Sequence, residues 1–299
     1  MTCAEEPVNA EEAIEQLVAD RSLKRIMVIG ASDAGKTTFA ELLLRRMEGE
    51  SALVDLDLGQ SHVGPPAMLG WGRWSQEYRS VDEIRPERLF FVGATSPLAN
   101  PKAAIAGAAA LVSDASDRAE RVVIDTSGAV EGSYARHLKL EKIRVTRTDG
   151  VVALERGGEL EHITNAILHG RLAPVLVLPV AKEAVPKPAR ERSAYRHRRF
   201  AGYFASACLM RLPLEGLEMM AFSKQDSLFE GGRLIRGLLI GLADRVGRHV
   251  GMGIIEGLDE EANELIVLTP VPRRGKIVAV LPGRMLLTPA GKEERLRRR

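Results

Sequence analysis

Residues 25–47 read RIMVIGASDAGKTTFAELLLRRM. The apolar run from Arg25 to Ile29 ends at a glycine, as a buried strand does. From Thr37 to Met47 the period changes, and Phe39, Leu42, Leu43 and Met47 fall on one side of a helix. Between the two lies Gly30-Ala31-Ser32-Asp33-Ala34-Gly35-Lys36-Thr37, which fits GxxxxGK[ST] without a gap. Strand, glycine loop and helix together are the context that pattern needs. Gly30 and Gly35 permit backbone angles closed to other residues, so the loop amides can turn inward around phosphate oxygens. The helix start adds its positive end. Residues Gly30 to Thr38 are therefore the expected nucleotide-phosphate cradle, with Lys36 reaching the β- and γ-phosphates and the Thr37 hydroxyl ligating Mg²⁺.

Outward from this stretch the alternation repeats. Ala52–Leu58, Leu89–Ala94, Arg121–Asp125, Gly150–Leu154 and Pro174–Val180 read as strands. Pro101–Ser113 and Glu159–Leu168 read as helices. Ahead of the loop, residues 9–20 read as a short helix capped by Asn9, with Glu11 and Glu12 near its positive end. Strands alternating with helices predict an α/β fold: a doubly wound, mostly parallel sheet with helices on both faces. Beyond residue 206 the helical patterns fade into short β-like runs separated by Gly and Pro. The expected organisation is an N-terminal helical extension (1–24), a phosphate-loop domain (25–206) with a basic lid at 182–204, and a small, mainly β domain (207–299).

Composition narrows the class. Hydrophobic residues make up 45% and aromatics 4%, so the core must rest on Leu, Val, Ile and Ala. The two cysteines, Cys3 and Cys208, form no CxxC pair, which argues against a disulfide framework or a zinc site. Cys208 sits in an apolar stretch and is expected to be a small buried residue. The acidic N-terminus lacks the apolar region of a secretory signal. No apolar run approaches the length of about 18 residues that a membrane span requires. A cytoplasmic protein without membrane contact is expected.

The second strand, Ala52-Leu-Val-Asp55-Leu-Asp57, is followed by Leu58-Gly59-Gln60. Asp55 and Asp57 are two apart and so share one face. Carboxylates near a strand end beside a nucleotide loop can orient Mg²⁺ or accept a proton from a hydroxyl. DLGQ is not the DxxG switch of small GTPases, and no NKxD guanine specifier is present. Phosphoryl transfer to an acceptor is favoured over a GTPase switch.

Together these segments resemble the polynucleotide 5′-hydroxyl kinases, a family that includes the kinase-like subunit of a eukaryotic RNA 3′-end cleavage factor and the kinases of ribosomal RNA processing. The resemblance rests on GASDAGKTT (30–38), DLDLGQSHVGPP (55–66), FFVGATSPLANP (90–101) and VVIDTSGAVEG (122–132), with the 190–204 segment and GLLIGLAD (237–244). It implies ATP as phosphoryl donor, with GTP as the alternative, and RNA or DNA bearing a 5′-hydroxyl end as acceptor; it names no protein partner. It implies that Lys36 binds phosphate, that Asp57 activates the 5′-hydroxyl, and that Thr37 with Asp55 holds Mg²⁺. Gln60, Thr95, Ser96, Asn100, Thr126, Ser127 and Gly128, together with Asp55, are implied in holding substrate. The family's RxxxR lid matches Arg192 and Arg196, which it implies clamp the transferring phosphoryl group. Many relatives carry Trp where this chain has Ala129, so base stacking would fall to Trp71, Trp74 or Tyr134. Residues 1–24 are too few for the β-rich N-terminal domain of many eukaryotic relatives, and partner binding through such a domain is not expected.

Charge supports the lid. From Lys182 to Arg199 there are seven Lys or Arg against two Glu. Arg192 and Arg196 are four apart and share a helical face. Arg198 and Arg199 are expected to follow a nucleic-acid backbone. Two other readings stand beside the kinase: a non-catalytic ATP-binding scaffold in RNA processing, and a phosphate-loop NTPase acting in assembly.

Overall fold

The computed structural model describes residues 9–224, 226–272 and 277–294. Cys3 and most of the basic tail lie outside them. In chain order the helices are α1 (Ala10–Ala19), α2 (Lys36–Arg46), α3 (Pro101–Ser116), α4 (Gly132–Thr146), α5 (Glu161–His169) and α6 (Ala189–Phe204). The strands begin with β1 (Arg25–Gly30), β2 (Ser51–Leu56), β3 (Met68–Arg73), β4 (Arg88–Phe91), β5 (Arg121–Thr126), β6 (Gly150–Glu155) and β7 (Val175–Pro179). They continue with β8 (Cys208–Pro213), β9 (Glu218–Met219), β10 (Phe229–Glu230), β11 (Arg233–Leu234), β12 (Leu238–Asp244), β13 (His249–Asp259), β14 (Glu264–Thr269), β15 (Ile277–Leu287) and β16 (Glu293–Glu294).

The chain divides into two compact units, each assembled from three segments. The first draws on Met1–Asp57, Gly70–Glu87 and Ala108–Lys187. Its strands run in the order β3-β2-β5-β1-β6-β7. All neighbours in that order are parallel except β3, which is antiparallel to β2. This is the doubly wound sheet that the alternation predicts. The central strands are buried along nearly their whole length, as parallel strands covered on both faces must be. Helix α1 starts with a capping box between Asn9 and Glu12. Its last carbonyls are closed by Arg121, whose guanidinium donates to Leu17 O at 2.6 Å and Val18 O at 3.1 Å.

The second unit draws on Leu58–Leu69, Arg88–Gly107 and Pro188–Arg299. It extends well before residue 207, where composition changes just ahead of β8. Strand β12 pairs with β13 and β15, and β14 with β13 and β8, all antiparallel. Leu239, Ala243, Met252, Ile254 and Leu281 form one core, into which α6 inserts Phe200 and Phe204.

Four local expectations need correction. Leu42 is 45% exposed, so the buried face of α2 is Lys36, Phe39, Ala40, Leu43 and Leu44. Cys208 is exposed and free: it shares a face with the buried Met210 and Leu212 but stands at the first position of β8, where that burial has not yet begun. Trp71 is fully buried and donates its indole N–H to Asp114 Oδ2 at 2.9 Å. Trp74 is buried as well, beneath the Arg45 guanidinium, 5.3 Å from the ring centre. Neither tryptophan offers a face to a base; of the three aromatic candidates, Tyr134 alone is exposed.

Candidate active site

The first unit carries the phosphate loop at the carboxyl end of β1, where open parallel sheets bind ligands. Gly35 caps α2 with φ of 81°, a left-handed angle that suits glycine. Asp33 is left-handed too, with φ of 57°. It is held from two sides: Arg156 Nη2 donates to its carbonyl at 2.7 Å, and the Lys187 amide donates to its carboxylate at 3.0 Å. The Lys36 side chain is buried along the loop and its Nζ donates to Ala31 O at 2.7 Å. Ser32 and Thr38 are exposed.

The acidic residues sit on neighbouring strands. In the parallel register of β2 and β5, Asp55 lies directly opposite Asp125. Asp125 in turn lies opposite Val28, two residues before the loop. Both carboxylates are buried, Asp55 at 1% and Asp125 at 2% exposure. Asp55 Oδ1 accepts from the Asp57 amide at 2.9 Å, which fixes the turn that leaves β2. Thr37 Oγ1 donates to Asp125 Oδ2 at 2.5 Å. The metal pair expected from sequence is Thr37 with Asp55; the Thr37 hydroxyl is bonded to Asp125, the residue that faces Asp55 across the register of β2 and β5. The apolar run Arg121-Val-Val-Ile-Asp125, a buried strand closed by a carboxylate, is the signal for it.

Two lysines outside the residues expected from sequence face these charges. Lys139 and Lys142 of α4 are buried at 3% and 1% exposure. Lys139 Nζ donates to Thr126 Oγ1 at 2.7 Å and to Ser127 O at 2.6 Å. Burial, reinforced by the positive charges of Lys142 and Lys36, holds the Lys139 ammonium well below the usual lysine range; Asp57 and Asp125 oppose that shift. Burial lowers Lys142 to about 8, against the pull of Asp57 and Asp55. The cluster thus sets Lys36, Lys139 and Lys142 against Asp55, Asp57 and Asp125. The legible signal was position: Ala135, Leu138, Lys139, Lys142, Ile143 and Thr146 make one helical stripe, so both lysines share a face with apolar residues.

Thr126, expected to face substrate, is fully buried and its hydroxyl donates to Val28 O at 2.8 Å. Gly128 is pressed on the phosphate loop: a Cβ there would lie 2.4 Å from Ser32 N and 2.5 Å from its Cα. Ser127 stands between these two structural neighbours.

Oxygen donors of this kind suit Mg²⁺, a hard cation that takes one or two carboxylates and completes its shell with phosphate and water. Among the described residues no group of three His, Cys, Asp or Glu side chains forms a self-sufficient metal cage.

The remaining expected residues belong to the second unit. Helix α6 covers the basic segment from Ala189 on, Lys182 and Lys187 preceding it, with Arg192, Tyr195, Arg196 and Arg199 half-buried and Arg190 and Arg198 exposed. Gln60 Nε2 donates to Arg192 O at 3.5 Å. Tyr195 donates its hydroxyl to Ser61 O at 2.8 Å. Arg199 Nη2 donates to Gly64 O at 2.7 Å and His62 O at 3.3 Å, so its charge is spent on holding the segment after DLGQ. Arg196 Nε meets Glu293 Oε1 at 2.5 Å. Thr95 donates to Glu293 Oε2 at 3.3 Å, Ser96 is exposed, and Asn100 is buried with its amide on Val92 O at 2.9 Å. Among the described residues no helix is long and apolar enough to cross a membrane.

A family model described as the mRNA cleavage and polyadenylation factor CLP1 P-loop matches residues 30–206. A polyribonucleotide 5′-hydroxyl-kinase of Pyrococcus furiosus is 26% identical to this chain, over 96% of it and 94% of the relative. One of Methanocaldococcus jannaschii is also 26% identical, over 89% and 87%. The polyribonucleotide 5′-hydroxyl-kinase Clp1 of Bos taurus is 26% identical over 66% of this chain and 50% of its own length. Among solved structures, Clp1p in a complex with Pcf11p is similar in fold, with a TM-score of 0.66 at 12% identity over 95% of this chain and 81% of that one.

Proposed function

The chain belongs to the family of the mRNA cleavage and polyadenylation factor CLP1 P-loop, and from that premise we propose that it is an ATP-dependent polynucleotide 5′-hydroxyl kinase. The observation that carries this reading is the alignment of three functional groups on adjacent parallel strands of one unit. The phosphate loop follows β1, Asp125 with Thr37 ends β5, and Asp55 with Asp57 ends β2. Relatives named as polyribonucleotide 5′-hydroxyl-kinases, which this chain covers over 94% and 87% of their length, support it.

In the reaction, the 5′-oxygen of the acceptor strand forms a bond to the γ-phosphorus of ATP as the bond to the β–γ bridging oxygen breaks. The products are a 5′-phosphorylated end and ADP. Mg²⁺, when bound, offsets the negative charge of the β- and γ-phosphates, and Thr37, Asp125 and Asp55 are the residues that would hold it. Lys36 neutralises the same phosphates, and Asp57 takes the proton of the attacking hydroxyl. Arg192 and Arg196 supply guanidinium charge to the phosphoryl group in transit, a contribution of about 10³–10⁵ in arginine-finger enzymes. Gln60, Thr95, Ser96, Ser127 and the exposed Arg198 orient the acceptor. The exposed free thiol of Cys208 fits a reducing, cytoplasmic compartment.

The test is transfer of label from γ-labelled ATP, and separately from GTP, to 5′-hydroxyl RNA and DNA oligonucleotides, with 5′-phosphorylated strands as controls. Transfer to 5′-hydroxyl ends alone is expected. Folded protein that transfers label to neither polymer would end this reading.

A further inference from the structure

The turn that joins β15 to β16 is seated on α6. Gly291, at φ of 88°, comes so close that a Cβ would lie 2.5 Å from His197 O and 2.7 Å from Ala201 N. The turn is closed on itself by Gly291 N to Thr288 O at 2.8 Å and Lys292 N to Thr288 Oγ1 at 3.1 Å. Two residues further on, Glu293 is held in register opposite Leu287. Its carboxylate is therefore delivered to a fixed place by backbone contacts on both sides.

That carboxylate divides its two oxygens. Oε1 accepts from Arg196 Nε at 2.5 Å, and Oε2 accepts from the Thr95 hydroxyl at 3.3 Å. Arg196 and Glu293 are only 22% and 25% exposed, so the pair is shielded from much of the solvent screening that makes surface pairs weak. Nε is one donor of the planar guanidinium fork; the Nη groups form its other edge. A carboxylate on Nε fixes the ring-like plane of the guanidinium and leaves the Nη edge to grip a phosphoryl group.

We propose that Glu293 is a positioning residue for the kinase reaction, holding Arg196 through Nε and tying it through the same carboxylate to the Thr95 loop. The inference rests on the reading of Arg196 as the arginine that stabilises the transferring phosphoryl group. Glu293 touches no reacting atom; its effect passes through Arg196. Orientation of this kind carries rate rather than affinity, because charge on the phosphoryl oxygens grows only during transfer.

The experiment is a double-mutant cycle in the full chain, with steady-state kinetics on a 5′-hydroxyl oligonucleotide and ATP. R196A, E293A, E293Q and R196A/E293A are compared, with thermal unfolding of each as the control for folding. E293A is expected to lower kcat by about 10- to 100-fold, the scale of a misplaced catalytic group, with the KM for ATP changed less than about twofold. E293Q keeps an acceptor for Nε and is expected to lose less. In the R196A background, removing Glu293 is expected to change kcat by less than about twofold. An unchanged or increased kcat in E293A, with R196A impaired, overturns the positioning role while leaving Arg196 in the reaction. Equal losses from E293A in both backgrounds overturn it too, since Glu293 then acts elsewhere. Full activity in R196A overturns it on the other ground, that Arg196 is not the stabilising arginine.

Discussion

Lys142→Met removes a buried ammonium from the electrostatic reach of Asp55 and Asp57 while keeping side-chain volume. Folding lowers the Lys142 pKa from the ordinary lysine value of 10.5 to about 8, because burial penalises its charge more than the two carboxylates favour it. The sign follows from proton counts. Between pH 8 and 10.5 the unfolded chain binds the proton and the folded chain does not, so stability rises across that window. Below pH 8 the full penalty of the charged side chain is present. At about 1.36 kcal/mol per pH unit, the whole displacement corresponds to about 3 kcal/mol, of which roughly 2–3 kcal/mol is relieved between pH 7 and 10. The assay is urea unfolding of wild type and K142M at both pH values, followed by tryptophan fluorescence. Both tryptophans of the chain, Trp71 and Trp74, are buried within the first unit, so the signal reports the unit that contains Lys142. Groups common to both proteins cancel in the difference. Wild type should gain roughly 2–3 kcal/mol on K142M as pH rises from 7 to 10. A stability gap that does not change with pH would refute the reasoning, since Lys142 would then titrate alike folded and unfolded.

Three further outcomes are expected of the site. Asp57→Asn should bind a fluorescent ATP analogue as wild type does yet lose turnover by about 10²-fold or more, the contribution of a general base; turnover at the parent rate would remove Asp57 from that role. Asp125→Asn should raise the Mg²⁺ concentration needed for half-maximal rate, whereas a Mg²⁺ dependence unchanged from wild type would remove Asp125 from the metal site. Gly128→Ala drives a methyl group into the backbone of Ser32, 2.5 Å from its Cα, and should weaken ATP binding in calorimetry by at least about tenfold; wild-type affinity would mean the loop yields freely.

Much of the first unit was legible because its signals are local. The apolar runs of β1, β5 and β6, the glycine loop and the stripe of α2 each stand out within a dozen residues or fewer. Strand β3 was not legible, since MLGWGR carries two glycines and a tryptophan and reads as a loop. Its place is set by pairing with β2, a partner that hydropathy cannot name. Helix α4 was passed over because its charges suggest a surface, although Lys139 and Lys142 point inward. Within the candidate site, the loop, Thr37 and the acidic strand could be read from motif and spacing. The pairing of Thr37 with Asp125, and the use of Arg199 on carbonyls, could not, because each joins residues far apart in sequence. Composition placed a boundary near residue 207, yet compactness gathers residues 58–69 and 88–107 into the same unit as the later strands.

The absence of a side chain at position 128 has a mechanical corollary. With the Gly128 backbone in contact with Ser32, and Thr126 bonded to both Val28 and Lys139, residues 126–128 and the first turn of the phosphate loop cannot shift independently. A displacement of Ser127 is expected to reach the phosphate-loop backbone at Ser32 through that close approach. On the reading of Ser127 as an acceptor contact, acceptor and nucleotide binding are expected to be coupled locally, within the first unit, through residues 126–128 and the phosphate loop.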